Sequence, residues 1–318
     1  MAGEFGLIDD YFSWPSQSDS VVLGVGDDAA VLAVSSAHEL VVSVDTLVSG
    51  IHYPIDTTPE DIGYKALMVN LSDIAAMGAV PRWFTLALTL PEYNAQWLAG
   101  FSLGLRQAAE AYDVSLVGGD TTRGACTVSI QIMGEVPIGK ALTRSSAQLG
   151  DSLYITNALG DAAAGLHIHQ ERLDVLSDEQ RYCTSRLNRP TARVAESCVI
   201  RQYANACMDI SDGLLQDLSH ILKASRLGAV IETSALTFSA ALDCLYPMEQ
   251  DKKLKLALSG GDDYELLFSI PKQNQAQFVA EMQQCGFAFQ CIGTLTGDIG
   301  NIVDEAGNRL SAEGFQHF

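Results

Sequence analysis

The hydrophobic pattern changes period along the chain. Short apolar runs at Val21–Val25, Leu40–Val44, Trp83–Leu90, Val114–Val117 and Cys126–Val136 read as strands. Helical spacing takes over at Thr58–Gly78 and near Asn94–Tyr112. In the first of these, Thr58 predicts an N-cap, Pro59 the first helical residue, and Asp61 the position of a capping-box acid. Gly78 predicts a left-handed stop, with Pro81 just beyond. Ile62, Ala66, Val69, Ala76 and Met77 share one face of this helix, and Asp73 stands within that apolar stripe. A lone ionised carboxylate in such a place is costly. Backbone donors, a basic partner or a cation would relieve the cost, and the helix by itself leaves the three open.

Pro137–Gly150 reads as a junction, with Pro137, Gly139 and Gly150 breaking the pattern. Beyond it come a strand at Ser152–Thr156, an Ala-rich helix after Gly160-Asp161, and a polar stretch over 171–193. A short strand then ends at Asp209, and a helix N-capped by Ser211 runs to about Arg226. A buried strand follows Gly260-Gly261-Asp262-Asp263, then a helix at Asn274–Cys285 and a strand near Phe289–Thr294. The predicted fold class is therefore mixed α/β, or α+β, in two domains. Residues 1–137 form an N-terminal sheet-and-helix domain, 138–150 a junction, and 151–318 a C-terminal α+β domain.

Composition narrows the partners. The formal charge is −20, which argues against nucleic acid or an anionic membrane surface, since both need a basic face. It leaves phosphate ligands open, because carboxylates hold phosphates through divalent cations. The seven cysteines form no C-x-x-C pair, which predicts reduced thiols in a cytoplasmic protein. The start, MAGEFGLIDDYF, lacks the pattern of a signal peptide, and no apolar run approaches a membrane span.

The acids are placed unusually. Asp27, Asp28, Asp45, Asp73, Asp120, Asp209 and Asp212 each fall at the expected end of an element or in an apolar setting. Gly118-Gly119 before Asp120 allows close backbone approach to a ligand. There is no Walker P-loop and no protein-kinase signature set. Many carboxylates with few nitrogen or sulfur ligands favour hard ions such as Mg²⁺, with a nucleotide triphosphate as the natural anionic companion. The chemistry this implies is phosphoryl transfer by positioning and charge neutralisation.

Eight segments in order, EFGLI, GVGDDAA, SVDTLVSGIHY, KALMVNLSDIAAMGAVP, GGDTT, MDISDGLLQDL, SGGDDYELLF and GFQHF, resemble the thiamine-monophosphate kinase family, in the superfamily of aminoimidazole-ribonucleotide synthetase. The resemblance spans nearly the whole chain. It implies transfer of the ATP γ-phosphoryl group to thiamine monophosphate, and a homodimer joined through the N-terminal sheets. It further implies an active-site cleft closed by the C-terminal domain. By position it implies Mg²⁺ ligands at Asp27, Ser43, Val44 (main chain), Asp45, Asp73, Asp120, Asp209 and Asp212, with Asp73, Asp120 and Asp212 central to catalysis. It implies ATP contacts at Tyr112, Gly119, Asp120, Arg144 and Ser211, and substrate contacts at His52, Asp262 and Phe315. Asp262 stands where the family commonly has Glu, and Phe315 where Trp or Tyr is common. Selenophosphate synthetase would need a reactive Cys near the N-terminus, and residues 1–30 contain none. The hydrogenase-maturation relative ends in Cys, whereas the last residue here is Phe318. Aminoimidazole-ribonucleotide synthetase and a non-catalytic divalent-cation or nucleotide-binding protein remain as competing readings.

Overall fold

The computed structural model describes residues 4–14, 18–26, 28–173, 175–311 and 314. The chain divides into two compact units. One comprises residues 1–74 and 79–139, the other residues 140–318 with the short segment Ala75–Gly78.

In the first unit, α1 (Glu4–Tyr11) precedes a small hairpin of β1 (Val21–Leu23) and β2 (Val31–Leu32). Then come β3 (His38–Val48), α2 (Pro59–Ala76), β4 (Val80–Leu90), α3 (Ala95–Ala111), β5 (Ser115–Arg123) and β6 (Thr127–Pro137). The main sheet has the order β3-β6-β4-β5, with β4 and β5 parallel and the other pairs antiparallel. Thr58 caps α2 as expected, its hydroxyl accepting from the Asp61 N–H, and Gly78 adopts φ +69°. Asn94 caps α3 by accepting from the Trp97 N–H.

The apolar stripe of α2 proves a poor guide to its burial. Lys65, Asn70 and Ser72 are as buried as Ala66 and Leu67, so the helix is enclosed on most sides. Two glycines explain how α3 comes so close. A Cβ on Gly63 would lie 2.1 Å from the Phe101 carbonyl oxygen, and one on Gly104 would lie 1.8 Å from that of Glu60. On another side Ile74 packs at Gly134 of β6.

Two expected strands are longer than their apolar cores. Leu40–Val44 extends to His38–Val48, and Val114–Val117 gives way to Ser115–Arg123. Asp45 and Asp120 therefore stand inside strands, correcting the expectation that both follow a strand's end. Backbone pairing carries the ladder through Gly118-Gly119, where a Cβ on Gly119 would lie 1.9 Å from the Leu86 carbonyl oxygen. The side-chain pattern alone cannot register that pairing.

The second unit contains β7 (Ser152–Thr156), α4 (Asp161–Glu171), α5 (Asp178–Asn188), α6 (Val194–Ile200), β8 (Ala206–Ile210), α7 (Leu214–Ser225) and β9 (Gly228–Ile231). It continues through α8 (Ala240–Leu245), α9 (Gln250–Ser259), β10 (Glu265–Ile270), α10 (Gln275–Gln284), β11 (Phe289–Thr296) and β12 (Ile302–Asp304). Its sheet runs β12-β9-β11-β7-β10-β8. Every residue of β8 and β10 is buried. The architecture is the mixed α/β, two-domain one expected.

Candidate active site

The structure gathers the predicted residues into three groups. The first lies where α2 meets β3. Ser43 donates its hydroxyl to Asp73 Oδ2 at 2.5 Å, and the Asp45 N–H donates to Asn70 Oδ1 at 3.1 Å. Ser43 and Asp45 are two apart in a strand and so share a face. Val44 points to the opposite face, where its side chain is 63% exposed, leaving only its main chain for the expected role. Nearby along the chain, the Val48 N–H donates to His52 Nδ1 at 2.9 Å. An N–H can only donate, so Nδ1 is the acceptor and the neutral ring carries its proton on Nε2.

The second group surrounds a cavity of about 640 Å³. Gly119 and Asp120 line it, together with Gly26, Asp28, Asp9 and Phe12. Gly26 and Gly119 come from two of the Gly-Asp motifs, and α1, which the sequence reading missed, supplies a wall. Tyr112 ends α3 and is not among the lining residues. Register separates this group from the first. Asp120 pairs with Ala87, Ala87 with Ser129, and Ser129 with Thr46. Asp120 thus shares a sheet face with Thr46, and Asp45, one residue before Thr46, lies on the other. The two acids also stand on opposite edge strands.

The third group belongs to the second unit. Asp209 lies in β8 and is 5% exposed, with Ser211 and Asp212 in the loop that follows. Ser211 is not the helix cap expected. The helix starts at Leu214 behind Gly213, at φ +120°, and the N–H groups of Ser211, Asp212 and Gly213 all donate to Asp217 Oδ2, at 3.0, 3.1 and 3.2 Å. Burial raises the Asp217 carboxyl to about 7, against the opposing pull of those three donors. The loop's carbonyls face the other way. Ser211 O accepts from the Asp262 N–H and Ile210 O from the Tyr264 N–H, both at 2.8 Å. Asp262 and Tyr264 are held at positive φ, +67° and +51°, and the Tyr264 hydroxyl donates to Asp262 Oδ1 at 3.1 Å. Gln216 donates to Asp212 Oδ2 at 3.2 Å. Arg144 sits in a short 3₁₀ turn, exposed, its carbonyl accepting from Ser225.

A buried polar cluster underlies this third group. Glu265, at the start of β10, is fully buried and accepts from Arg193, Arg186, Thr156 and Asn157. Burial works against the Arg193 charge, but Glu265 and Glu196 more than offset it and raise its pKa. Asp263 accepts from the Gly160 N–H at the start of α4, and burial pushes its carboxyl well up. These residues fix the strand on which the Asp262 loop is mounted.

Asp27 and Phe315 lie outside the described residues. Gly314 is described: a Cβ there would lie 2.5 Å from the Asp212 carbonyl oxygen, so its backbone runs against the third group. Among the described residues, no three His, Cys, Asp or Glu side chains are close enough together to hold a metal ion. The donors present are oxygens, carboxylates joined by a hydroxyl at Ser43–Asp73, and that chemistry suits Mg²⁺ rather than zinc. No helix among the described residues is long and apolar enough to cross a membrane.

Residues 26–136 match the family described as AIR synthase related protein, N-terminal domain, and residues 148–304 match its C-terminal domain. The chain belongs to the AIR synthase related family, whose two domains fall in the two compact units. Its full-length relatives narrow the family further. It is 46% identical to the thiamine-monophosphate kinase of Escherichia coli K12, over 99% of this chain and 98% of that one. The crystal structure of the thiamine-monophosphate kinase from Stenotrophomonas maltophilia K279a is 40% identical, with a TM-score of 0.88 over 96% of each chain. AaThiL complexed with AMPPCP and TMP is 32% identical, with a TM-score of 0.82 over 99% of this chain and 97% of that one. Within the AIR synthase related family, the chain belongs to the thiamine-monophosphate kinases.

Proposed function

We propose that this chain transfers the γ-phosphoryl group of ATP directly to the phosphate of thiamine monophosphate, giving ADP and thiamine diphosphate. The observation that carries this reading is its likeness to thiamine-monophosphate kinases along the full length of both chains. The AaThiL complex with AMPPCP and TMP supports the pairing of a nucleotide with this acceptor.

The acceptor oxygen needs no general base, because a phosphate monoester has its second pKa at about 6 and is already dianionic near neutrality. The residues then have to position and neutralise. Gly119 and Asp120 receive the nucleotide at the glycine-lined cavity, with Tyr112, Arg144 and Ser211 as further contacts. Arg144 is exposed and ready to meet a phosphate. His52 offers its Nε2–H to a substrate oxygen, and Asp262 and Phe315 complete the acceptor's contacts. Mg²⁺, when bound, would screen repulsion between the two polyanions. On this reading several ions bind, and the residues that would share them are Asp27, Ser43, Val44 (main chain), Asp45, Asp73, Asp120, Asp209 and Asp212.

On the same reading residues 1–137 bind ATP and metal and also dimerise, 138–150 are a junction, and 151–318 complete the site in a cytoplasmic enzyme. The open face of β3 supports a homodimer. Leu40, Val42 and Val44 alternate on it at 47%, 49% and 63% exposure, along an edge strand of eleven residues.

The deciding experiment couples ADP release to thiamine monophosphate. ADP formation only when both ATP and thiamine monophosphate are present, with thiamine diphosphate as the second product, is the expected result. No dependence on thiamine monophosphate sinks the reading. Inversion at a chiral γ-phosphorus is expected for one direct transfer, and retention would indicate a phosphoenzyme. Light scattering tests the homodimer, and a monomeric mass would refute it.

A further inference from the structure

We propose that Asp217 is a positioning residue that sets the two reacting ligands against one another. The proposal rests on the reading that Ser211 and Asp212 meet the nucleotide and its metal and Asp262 meets the acceptor. Asp217 itself touches neither ligand in that scheme. It is 2% exposed, in the first turn of α7, and one of its carboxylate oxygens accepts from three consecutive N–H groups, those of Ser211, Asp212 and Gly213.

The same short loop spends its carbonyls on the acceptor side. Ile210 O and Ser211 O take the N–H groups of Tyr264 and Asp262. Peptide units 210–213 are thus held from behind by Asp217 and in turn hold the Asp262 loop in front. The packing leaves no slack between the two loops. A Cβ on Gly261 would lie 2.5 Å from Ser211 O, and one on Gly213 would lie 3.0 Å from the Ser259 carbonyl carbon. Asp262 and Tyr264 are held in left-handed conformations that non-glycine residues rarely adopt, so they depend on this external fixing. Without the Asp217 oxygen, three buried or half-buried N–H groups lose their acceptor, and the loop must move to find water. That movement displaces Asp212 and Asp262 together, so the effect falls on both ligands although the substitution is made behind them.

The test compares Asp217→Ala with Asp217→Asn. An asparagine can present its amide oxygen to the same three donors, whereas alanine offers none. The first readout is hydrogen exchange of the Ser211, Asp212 and Gly213 amides in the ligand-free protein. Protection retained in Asp217→Asn and lost in Asp217→Ala is expected. The second readout is steady-state kinetics with ATP and thiamine monophosphate. We expect Asp217→Ala to lose about 10²-fold in kcat, the scale of an ångström-sized misplacement, with KM raised for both substrates. Asp217→Asn is expected to stay within about threefold of wild type, because its acceptor remains in place. Wild-type protection or wild-type kcat in a folded Asp217→Ala overturns the proposal. So does an Asp217→Asn variant as impaired as alanine while its amides stay protected. Should Asp217→Ala not fold, Asp217→Glu moves the acceptor outward by one methylene. Undisturbed amides and kcat in that variant would overturn the proposal equally. Amide exchange needs no turnover, so an inactive wild-type chain would refute the functional reading and leave the anchor separately judged.

Discussion

Ser43 and Asp73 meet across two elements, the hydroxyl on β3 donating to the carboxylate on α2 at 2.5 Å. The acid that looked misplaced on a helix is oriented by a strand. Its environment is partly open rather than sealed.

Asp73→Asn keeps the shape and removes the charge. In the proposed kinase reaction kcat is expected to fall by about 10²-fold or more, as for other lost electrostatic stabilisers. Ser43→Ala, which removes only the orienting hydroxyl, should cost less. Steady-state assays at saturating Mg²⁺ decide, and wild-type rates in Asp73→Asn would remove Asp73 from the machinery.

Arg193 and Glu265 form a pair whose loss should show in stability. Arg193 is 14% exposed and Glu265 fully buried, and Arg193 bonds both carboxylate oxygens. Arg193→Ala leaves a buried carboxylate short of its main partner, and is expected to lower unfolding stability by about 3–5 kcal/mol. Urea denaturation measures it. A midpoint unchanged from wild type would mean that Arg186, Thr156 and Asn157 suffice.

Acid stability has a local contributor at Glu305. Its own backbone N–H, the Ser234 hydroxyl and N–H, and the Thr233 N–H hold the carboxyl down at about 2. The folded value lies below the unfolded one, so the stabilisation is complete above the ordinary glutamate range. It is lost as pH falls through about 2. Thermal melts of Glu305→Gln and wild type should therefore differ most near neutrality and converge in acid. A gap that widens on acidification would contradict this sign.

The thiols should sort by burial. Burial pushes the Cys183 thiol up to about 12, with Asp161 and Asp263 adding to it, and raises buried Cys207 as well. Cys244, Cys285 and Cys291 are exposed. Maleimide with peptide mapping should label those three in the native protein, and Cys183 and Cys207 only after denaturation. Fast native labelling of Cys207 would show that β8 opens readily.

Helix punctuation was the most legible part of this chain. Thr58 and Gly78 mark the two ends of α2 because capping is local and leaves a local signature. Strand ends were less legible. Asp45 and Asp120 continue their strands through ladder bonds to β6 and β4, which polar side chains and glycines do not announce. Nor could the sequence assign those acids to opposite faces of one sheet, since that follows from pairing across four strands. Asp217 was visible inside MDISDGLLQDL but carried no distinguishing mark, because its importance lies in which N–H groups point at it. Nothing in the sequence pattern marks α1, and that pattern places a cap at Ser211, whereas no side chain caps α7 and Asp217 instead gathers the N–H groups of the loop before it.

If Asp262 meets the acceptor as proposed, the contact between Gly261 and Ser211 has a consequence for anyone redesigning acceptor choice. The 259–264 turn has no independent geometry to borrow, since its backbone is threaded onto residues 210–213 with space for a hydrogen atom and nothing larger. Transplanting it alone from a relative would import a turn without its template. The transferable piece is the pair, residues 209–217 together with 259–265, moved as a single discontinuous cassette.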